Sequence, residues 1–147
     1  MINIQYLPGT LSESEQSVVT TGFTKLSEEQ HAPTYSETFI KWIGKDDEDE
    51  LRAALTAKVL WDWLYLDELW VCPSNRGKGL GRALMHSAEN YAATHSLQGI
   101  WLWTQSWQAA DFYNHLGFEE FTRFPNFPKD HERIGLRKFL TNDPTQT

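Results

Sequence analysis

One cysteine, Cys72, stands in 147 residues. A lone thiol makes no internal disulfide, so no covalent staple is expected, and such usage fits a reducing compartment, here the cytoplasm. No run of eighteen apolar residues occurs, so no membrane span is expected. The opening Met1-Ile2-Asn3-Ile4-Gln5-Tyr6 lacks the basic and apolar regions of a secretory leader. No group of His and Cys has zinc spacing, so no metal is expected. Positive charge is scarce as well: 13 Lys and Arg face 20 Asp and Glu, a net charge of −7. Nucleic-acid binders displace phosphate counterions with Lys and Arg, so this balance argues against such a partner and mildly favours a cationic one. Much of the negative charge lies in Asp46-Asp47-Glu48-Asp49-Glu50, which reads as a solvated hairpin tip.

What the chain has instead is a large aromatic share, with seven tryptophans, and a length suited to one domain with a real core. Residues 2–6 alternate as a first strand that ends at Pro8-Gly9. Ser12-Glu13-Ser14-Glu15 has the form of a capping box, so a helix is expected from about 13, with Val19, Phe23 and Leu26 on its apolar stripe. Residues 37–45 and 51–60 read as a hairpin, and 63–72 as a central strand. A helix over 79–95 places Leu80, Leu84, Ala88 and Tyr91 on one side. A strand over 100–104, a helix of about ten residues with Ala109, Phe112 and Leu116 inward, and strands over 118–124 and 134–139 complete the pattern. Residues 141–147 read as a frayed polar tail.

Between the central strand and the helix at 79 lies Arg76-Gly77-Lys78-Gly79-Leu80-Gly81-Arg82. A helix start offers unpaired N–H groups and partial positive charge, and so attracts phosphate. Glycines let an anion approach those groups, and Arg76, Lys78 and Arg82 add charge. The spacing is not that of a P-loop, because no Ser or Thr follows a lysine here. Nor is it a dinucleotide fingerprint, because Arg82 and Leu84 stand where the third glycine would be.

What remains is Arg76-x-x-Gly79-x-Gly81. Downstream stands Ala109-Ala110-Asp111-Phe112-Tyr113-Asn114-His115-Leu116-Gly117-Phe118. The two segments, in this order and with a strand between them, resemble the GNAT superfamily of acetyl-CoA-dependent N-acetyltransferases. Trp61–Val71 and Phe127–Arg133 also resemble a group of small bacterial members. The resemblance implies one α/β domain over residues 1–140. Its sheet would be mixed and mostly antiparallel, with six to seven strands, flanked by three to four helices and splayed between its central strands. It implies acetyl-CoA as co-substrate, no metal, and a primary amine of a small molecule or peptide as acceptor. Homodimers are common in the family. The diphosphate would sit on Arg76, Gly77, Lys78, Gly79, Leu80, Gly81 and Arg82. The pantetheine arm would lie beside the backbone of Trp70, Val71 and Cys72, with Phe112, Tyr113 and Gln108 nearby. Many members carry an Asn shortly before the second motif; here Ser106, Trp107 and Gln108 fill that region, so Ser106 is a candidate cap and Gln108 a substitute contact.

The chemistry needs proton handling at both ends. A primary amine of pKa ~10.4 is neutral only about one part in 2,500 at pH 7, a deficit of roughly 4.6 kcal/mol. A base that removes the proton contributes roughly 10²–10⁴-fold. Asp67 and Glu68 are the base candidates, being carboxylates in a strand otherwise written Leu64, Leu66, Leu69, Val71. Adjacent strand residues point to opposite faces, so one of the two is expected to reach the cleft. The resemblance ranks Asp67 first, since it aligns better with the acidic position of the similar small bacterial proteins. In the family pattern the Tyr of the second motif lies near the acetyl-CoA sulfur, so the resemblance makes Tyr113 the candidate acid for the leaving thiolate; it stands about 100° around its helix from an inward Phe112. His131 and Arg133 follow a Pro-rich loop that flanks the acceptor side in the family. A catalytically inactive coenzyme A-binding module is the rival reading, and a binder of another nucleotide the second.

Overall fold

The computed structural model describes residues 1–140, so the tail expected over 141–147 lies outside the described residues. The chain divides into two units, Met1–Tyr35 and Ser36–Thr147. The first holds helix α1 (Glu13–Glu29). Its start is the expected capping box: Ser12 Oγ accepts the Glu15 N–H at 3.2 Å, and Glu15 Oε2 accepts the Ser12 N–H at 2.8 Å. Residues 2–6 are not a strand. Alternation in Ile2, Ile4 and Tyr6 supplies two faces, but a strand exists only as a ladder with a partner, and these residues form none.

The second unit carries β1 (Glu37–Lys45), β2 (Leu51–Leu60), β3 (Trp63–Val71), α2 (Leu80–Thr94), β4 (Gly99–Gln105), α3 (Ala110–His115), β5 (Glu119–Pro125) and β6 (Glu132–Phe139). The sheet order is β1-β2-β3-β4-β6-β5, antiparallel except where β3 and β4 run parallel. The described residues thus hold six strands and three α-helices, the lower end of both expectations. The acidic tip is an ordered turn. Asp46 Oδ1 accepts the N–H groups of Glu48 and Glu50 at 2.9 and 3.0 Å, and Oδ2 accepts Arg52 Nε–H at 2.7 Å.

The core lies on one face of this sheet. Ala53, Leu55 and Ala57 of β2, Leu64 and Leu66 of β3, Ile100 and Leu102 of β4, and Ile134 and Leu136 of β6 are buried there by alternation. Leu84, Met85, Ala88 and Ala92 of α2 belong to the same cluster. Each fully buried leucine or isoleucine contributes roughly 1.5–3 kcal/mol. This packing fixes where β3 ends and α2 begins, which is where the chemistry-bearing residues stand.

Candidate active site

Strands β3 and β4 pair over four positions, Trp63–Leu66 with Gly99–Leu102. Beyond Leu66, β3 continues on β2 alone; beyond Leu102, β4 continues on β6 alone. The expected splay is therefore present, and its local cause is visible. Ala57 faces Leu66 while Thr56 faces Glu68, so Asp67 is an extra residue, a β-bulge. A bulge bends its strand and raises the local twist. The opened ladder leaves a cleft of about 750 Å³ lined by Asp67, Glu68, Leu69, Trp70, Arg76, Trp103, Thr104, Trp107, Gln108, Ala109, Phe112 and Tyr113.

The bulge overturns the expectation that only one of Asp67 and Glu68 reaches the cleft, since both line it. Strict alternation fails at an inserted residue, and after it Leu69 and Val71, not Glu68 and Trp70, return to the core side. Both carboxylates also border a neighbouring recess of about 430 Å³ formed with Phe39, Ile40, Lys41, Thr56 and Ala57. Neither takes part in an ion pair among the described residues.

Gly77 and Gly79 take left-handed φ values of 75° and 82°, and a Cβ on either would meet nothing within 4 Å. Gly79 is the N-cap of α2 and no side chain caps it. The first amides of that helix thus lack a side-chain acceptor beside open space, which fits a diphosphate. Gly81 is the tight position, with Phe112 Cζ at 3.4 Å from its would-be Cβ and Val71 close behind. The cations are not all turned the same way. Arg76 lines the cleft and donates Nε–H to the Val71 carbonyl at 3.1 Å. Gly79 and Arg82 line a separate recess of about 400 Å³ along α2, with His86 and Glu89.

On the open edge of β3, the Cys72 N–H is committed to the Arg52 carbonyl at 2.7 Å. Alternate residues of an antiparallel ladder share a direction, so Trp70 also points at β2 while Leu69 and Val71 present their N–H groups to the gap. The Cys72 thiol is half-buried, 3.3 Å from Ser74 Oγ and 3.7 Å from Arg52 Nη1. The Ser74 hydroxyl first, and then Arg52, hold it below the usual thiol range.

Helix α3 has six residues rather than ten; Phe112 and Leu116 pack against the core as expected, Ala109 is exposed, and Tyr113 is drawn into the core as well. Tyr113 is the buried member, while Phe112 is only half-buried and leans on Gly81. Gly117, at φ 89°, reverses the chain so that the Phe118 N–H bonds the Tyr113 carbonyl at 3.1 Å and the Phe118 ring meets Tyr113 edge-on at 5.8 Å. Tyr113 still lines the cleft, and burial pushes its phenol up to about 12.

Ser106 is not the cap of α3; Ala109 is. Ser106 instead holds β6, donating its N–H to the Glu132 carbonyl at 2.8 Å and accepting the Glu132 N–H on Oγ at 3.2 Å. Gln108 lines the cleft, with its Oε1 accepting the Gln105 N–H at 3.0 Å. That bond leaves the amide NH₂ as its group for a ligand. His131 and Arg133 do not line the cleft but back its tryptophans. The Arg133 guanidinium lies 4.5 Å from the Trp103 ring centre, and the His131 ring meets Trp107 edge-on at 4.8 Å. Sequence reasoning missed Trp103 and Trp107 as cleft residues. The signal was a pair of tryptophans at and just beyond the end of a strand that the expected splay uncovers.

A sequence model of the acetyltransferase (GNAT) family matches residues 10–118. The blasticidin-S acetyltransferase of Streptomyces morookaense is 36% identical over 80 residues, 54% of this chain and 59% of that protein. The chain therefore matches less than two thirds of that relative's length. An acetyltransferase crystal structure from Bacillus cereus superposes with a TM-score of 0.76 at 23% identity, covering 92% of this chain and 98% of that one. A streptothricin acetyltransferase from Bacillus anthracis, solved with acetyl coenzyme A, gives a TM-score of 0.63 at 22% identity over 70% of this chain and 63% of that one. At these identities the two structures share the fold with this chain.

Proposed function

The chain belongs to the acetyltransferase (GNAT) family, and from that premise we propose that it moves acetyl from acetyl-CoA to a primary amine of a small molecule or peptide. The observation that carries the reading is the opened β3–β4 ladder, which sets two carboxylates and a buried phenol around one cleft beside an uncapped helix start. The matched segment runs through both units, which supports residues 1–140 acting as one domain. The named substrate of the Streptomyces morookaense relative, a small molecule, supports an acceptor of that size. No helix of the described residues is long and apolar enough to cross a membrane, and no described group of His, Cys, Asp and Glu is placed to hold a metal. The unpaired Cys72 fits a cytoplasmic setting.

Acetyl-CoA supplies an activated acetyl group as a thioester. In this reading the amides of Leu80, Gly81 and Arg82 hold its diphosphate, with Arg76, Lys78 and Arg82 adding charge. The Leu69 and Val71 N–H groups lie along the gap, where donors stabilise developing negative charge on a carbonyl oxygen. Asp67 accepts the amine proton directly or through water, and Glu68 shares the acidic wall. Tyr113, kept protonated by burial at neutral pH, is a hydrogen-bond donor for the departing sulfur rather than a base. Transfer is direct, within a ternary complex, and no acyl-enzyme forms.

The test is a mass-shift screen of primary amines with acetyl-CoA, followed by two-substrate kinetics. Acetylated amine and intersecting reciprocal plots are expected. Saturable coenzyme A binding with no transfer to any amine would replace the enzyme with a binding module.

A further inference from the structure

The cleft's two carboxylates and its aromatic rings come from different strands for the most part. Strand β3 contributes Asp67 and Glu68 together with Leu69 and Trp70, and the end of β4 with the segment after it contributes Trp103 and Trp107. Only Arg76, at the cradle end, is a cation among the lining residues. Removing the proton of an attacking amine needs one carboxylate, so the second is left without a task. Glu68 keeps one oxygen on the Thr56 hydroxyl at 3.1 Å, and neither carboxylate has an ion-pair partner among the described residues. Opposite them, Trp103 already shows what its ring accepts, since a guanidinium, that of Arg133, lies 4.5 Å from its centre. Trp107 is largely exposed, and His131 touches it only edge-on. Ring faces of this kind bind flat apolar bodies and cations alike.

Resting on the acetyl-transfer reading above, we infer that the acceptor is a dication built on a planar ring. One amine meets Asp67, a second positive charge meets Glu68, and the ring between them lies against Trp103 and Trp107. A monoamine would leave one of the two exposed carboxylates to water alone, and a flexible aliphatic diamine would forgo the aromatic rings.

Three probes separate these terms: para-xylylenediamine carries the ring and both charges, benzylamine lacks the second charge, and hexamethylenediamine lacks the ring. The KM of para-xylylenediamine is expected to be at least about fivefold below that of either other amine. Trp107→Ala is expected to raise it towards that of hexamethylenediamine, with acetyl-CoA affinity by calorimetry and the thermal melt unchanged. Trp103→Leu, which keeps apolar volume beside Trp101 and Phe121, is expected to act in the same direction. Equal KM values for the three amines would overturn the inference and leave acetyl transfer standing. So would absence of calorimetric binding of para-xylylenediamine to the coenzyme-saturated protein, if other amines are still acetylated. Failure to bind acetyl-CoA at all would take down the transfer reading and this inference with it.

Discussion

Thr56 and Glu68 exchange two hydrogen bonds across the β2–β3 ladder: the Glu68 N–H donates to Thr56 Oγ1 at 3.1 Å, and that hydroxyl donates to Glu68 Oε1 at 3.1 Å. The pair sits at the bulge and holds Glu68 to its neighbour strand. Asp67, the inserted residue, has no residue of β2 opposite it. A carboxylate anchored by a neighbouring hydroxyl is a fixed charge, whereas its neighbour lacks that anchor, as the proposed base role requires.

The roles of the two acids should therefore separate. Asp67→Asn is expected to lower kcat/KM by roughly 10²–10⁴-fold, mainly through kcat. Glu68→Gln is expected to act mainly on the acceptor KM. If Glu68→Gln costs kcat and Asp67→Asn does not, the assignment reverses; if neither does, no dedicated base acts.

The cradle makes a prediction in which stability and affinity move apart. Gly79 holds φ 82° with nothing within 4 Å of a would-be Cβ, so Asn and Asp, which tolerate this conformation, should both fold. The two differ only in charge. Gly79→Asp places an anion at the start of α2, which favours the helix by about 0.3–1 kcal/mol. The same anion occupies the proposed diphosphate position. Gly79→Asp is expected to melt no lower than Gly79→Asn and to bind acetyl-CoA at least about tenfold more weakly, a loss of roughly 1.4 kcal/mol. Equal affinities by calorimetry would move the diphosphate elsewhere.

What the sequence made legible follows from which signals are local. The capping box at Ser12, the hairpin of residues 37–45 and 51–60 and the helix that follows the glycines are written in neighbouring residues, and each appears in the structure. The bulge at Asp67 is not written there. It is a relation between Leu66–Glu68 and Thr56–Ala57, residues about ten positions apart, and only the ladder reveals it. The same holds for α3, where Phe112 packs against the core as the helical stripe indicates, while Gly117 and Phe118 fold back to bury Tyr113 too. Residues 2–6 show the opposite failure: the local pattern is present and the partner is not. Trp103 and Trp107 became cleft residues only once the strands parted.

Cys72 gives a chemical reporter on the open edge of β3. Its thiol sits beside Ser74 and Arg52, which favour the thiolate and hold it below the usual range. Alkylation by iodoacetamide should thus begin at lower pH than for a free cysteine, because the thiolate is the nucleophile. Acetyl-CoA is expected to slow the modification by lying along Leu69 and Val71. Arg52→Lys should move the alkylation midpoint upward with the hairpin turn at Asp46 loosened. Unchanged alkylation at saturating acetyl-CoA would place the coenzyme away from this edge.

Tyr113 carries the last prediction, because one property of its site has two measurable consequences. Burial raises its phenol from 10.0 to about 12. Below pH 10 the folded and unfolded chains both keep this proton, and its contribution to stability is fully present. Between pH 10 and about 12 the unfolded chain releases the proton while the folded chain retains it, so stability is lost as pH rises, by up to about 3 kcal/mol. Tyr113→Phe has no proton to lose and should escape that decline. Its thermal melt should therefore fall less steeply than that of the native chain from pH 10 to 12. The same substitution removes the donor proposed for the departing sulfur, so turnover at pH 7 should drop by roughly 10²-fold with acetyl-CoA affinity nearly unchanged. A flattened alkaline melt with undiminished turnover would leave Tyr113 as a core residue and return the proton to solvent.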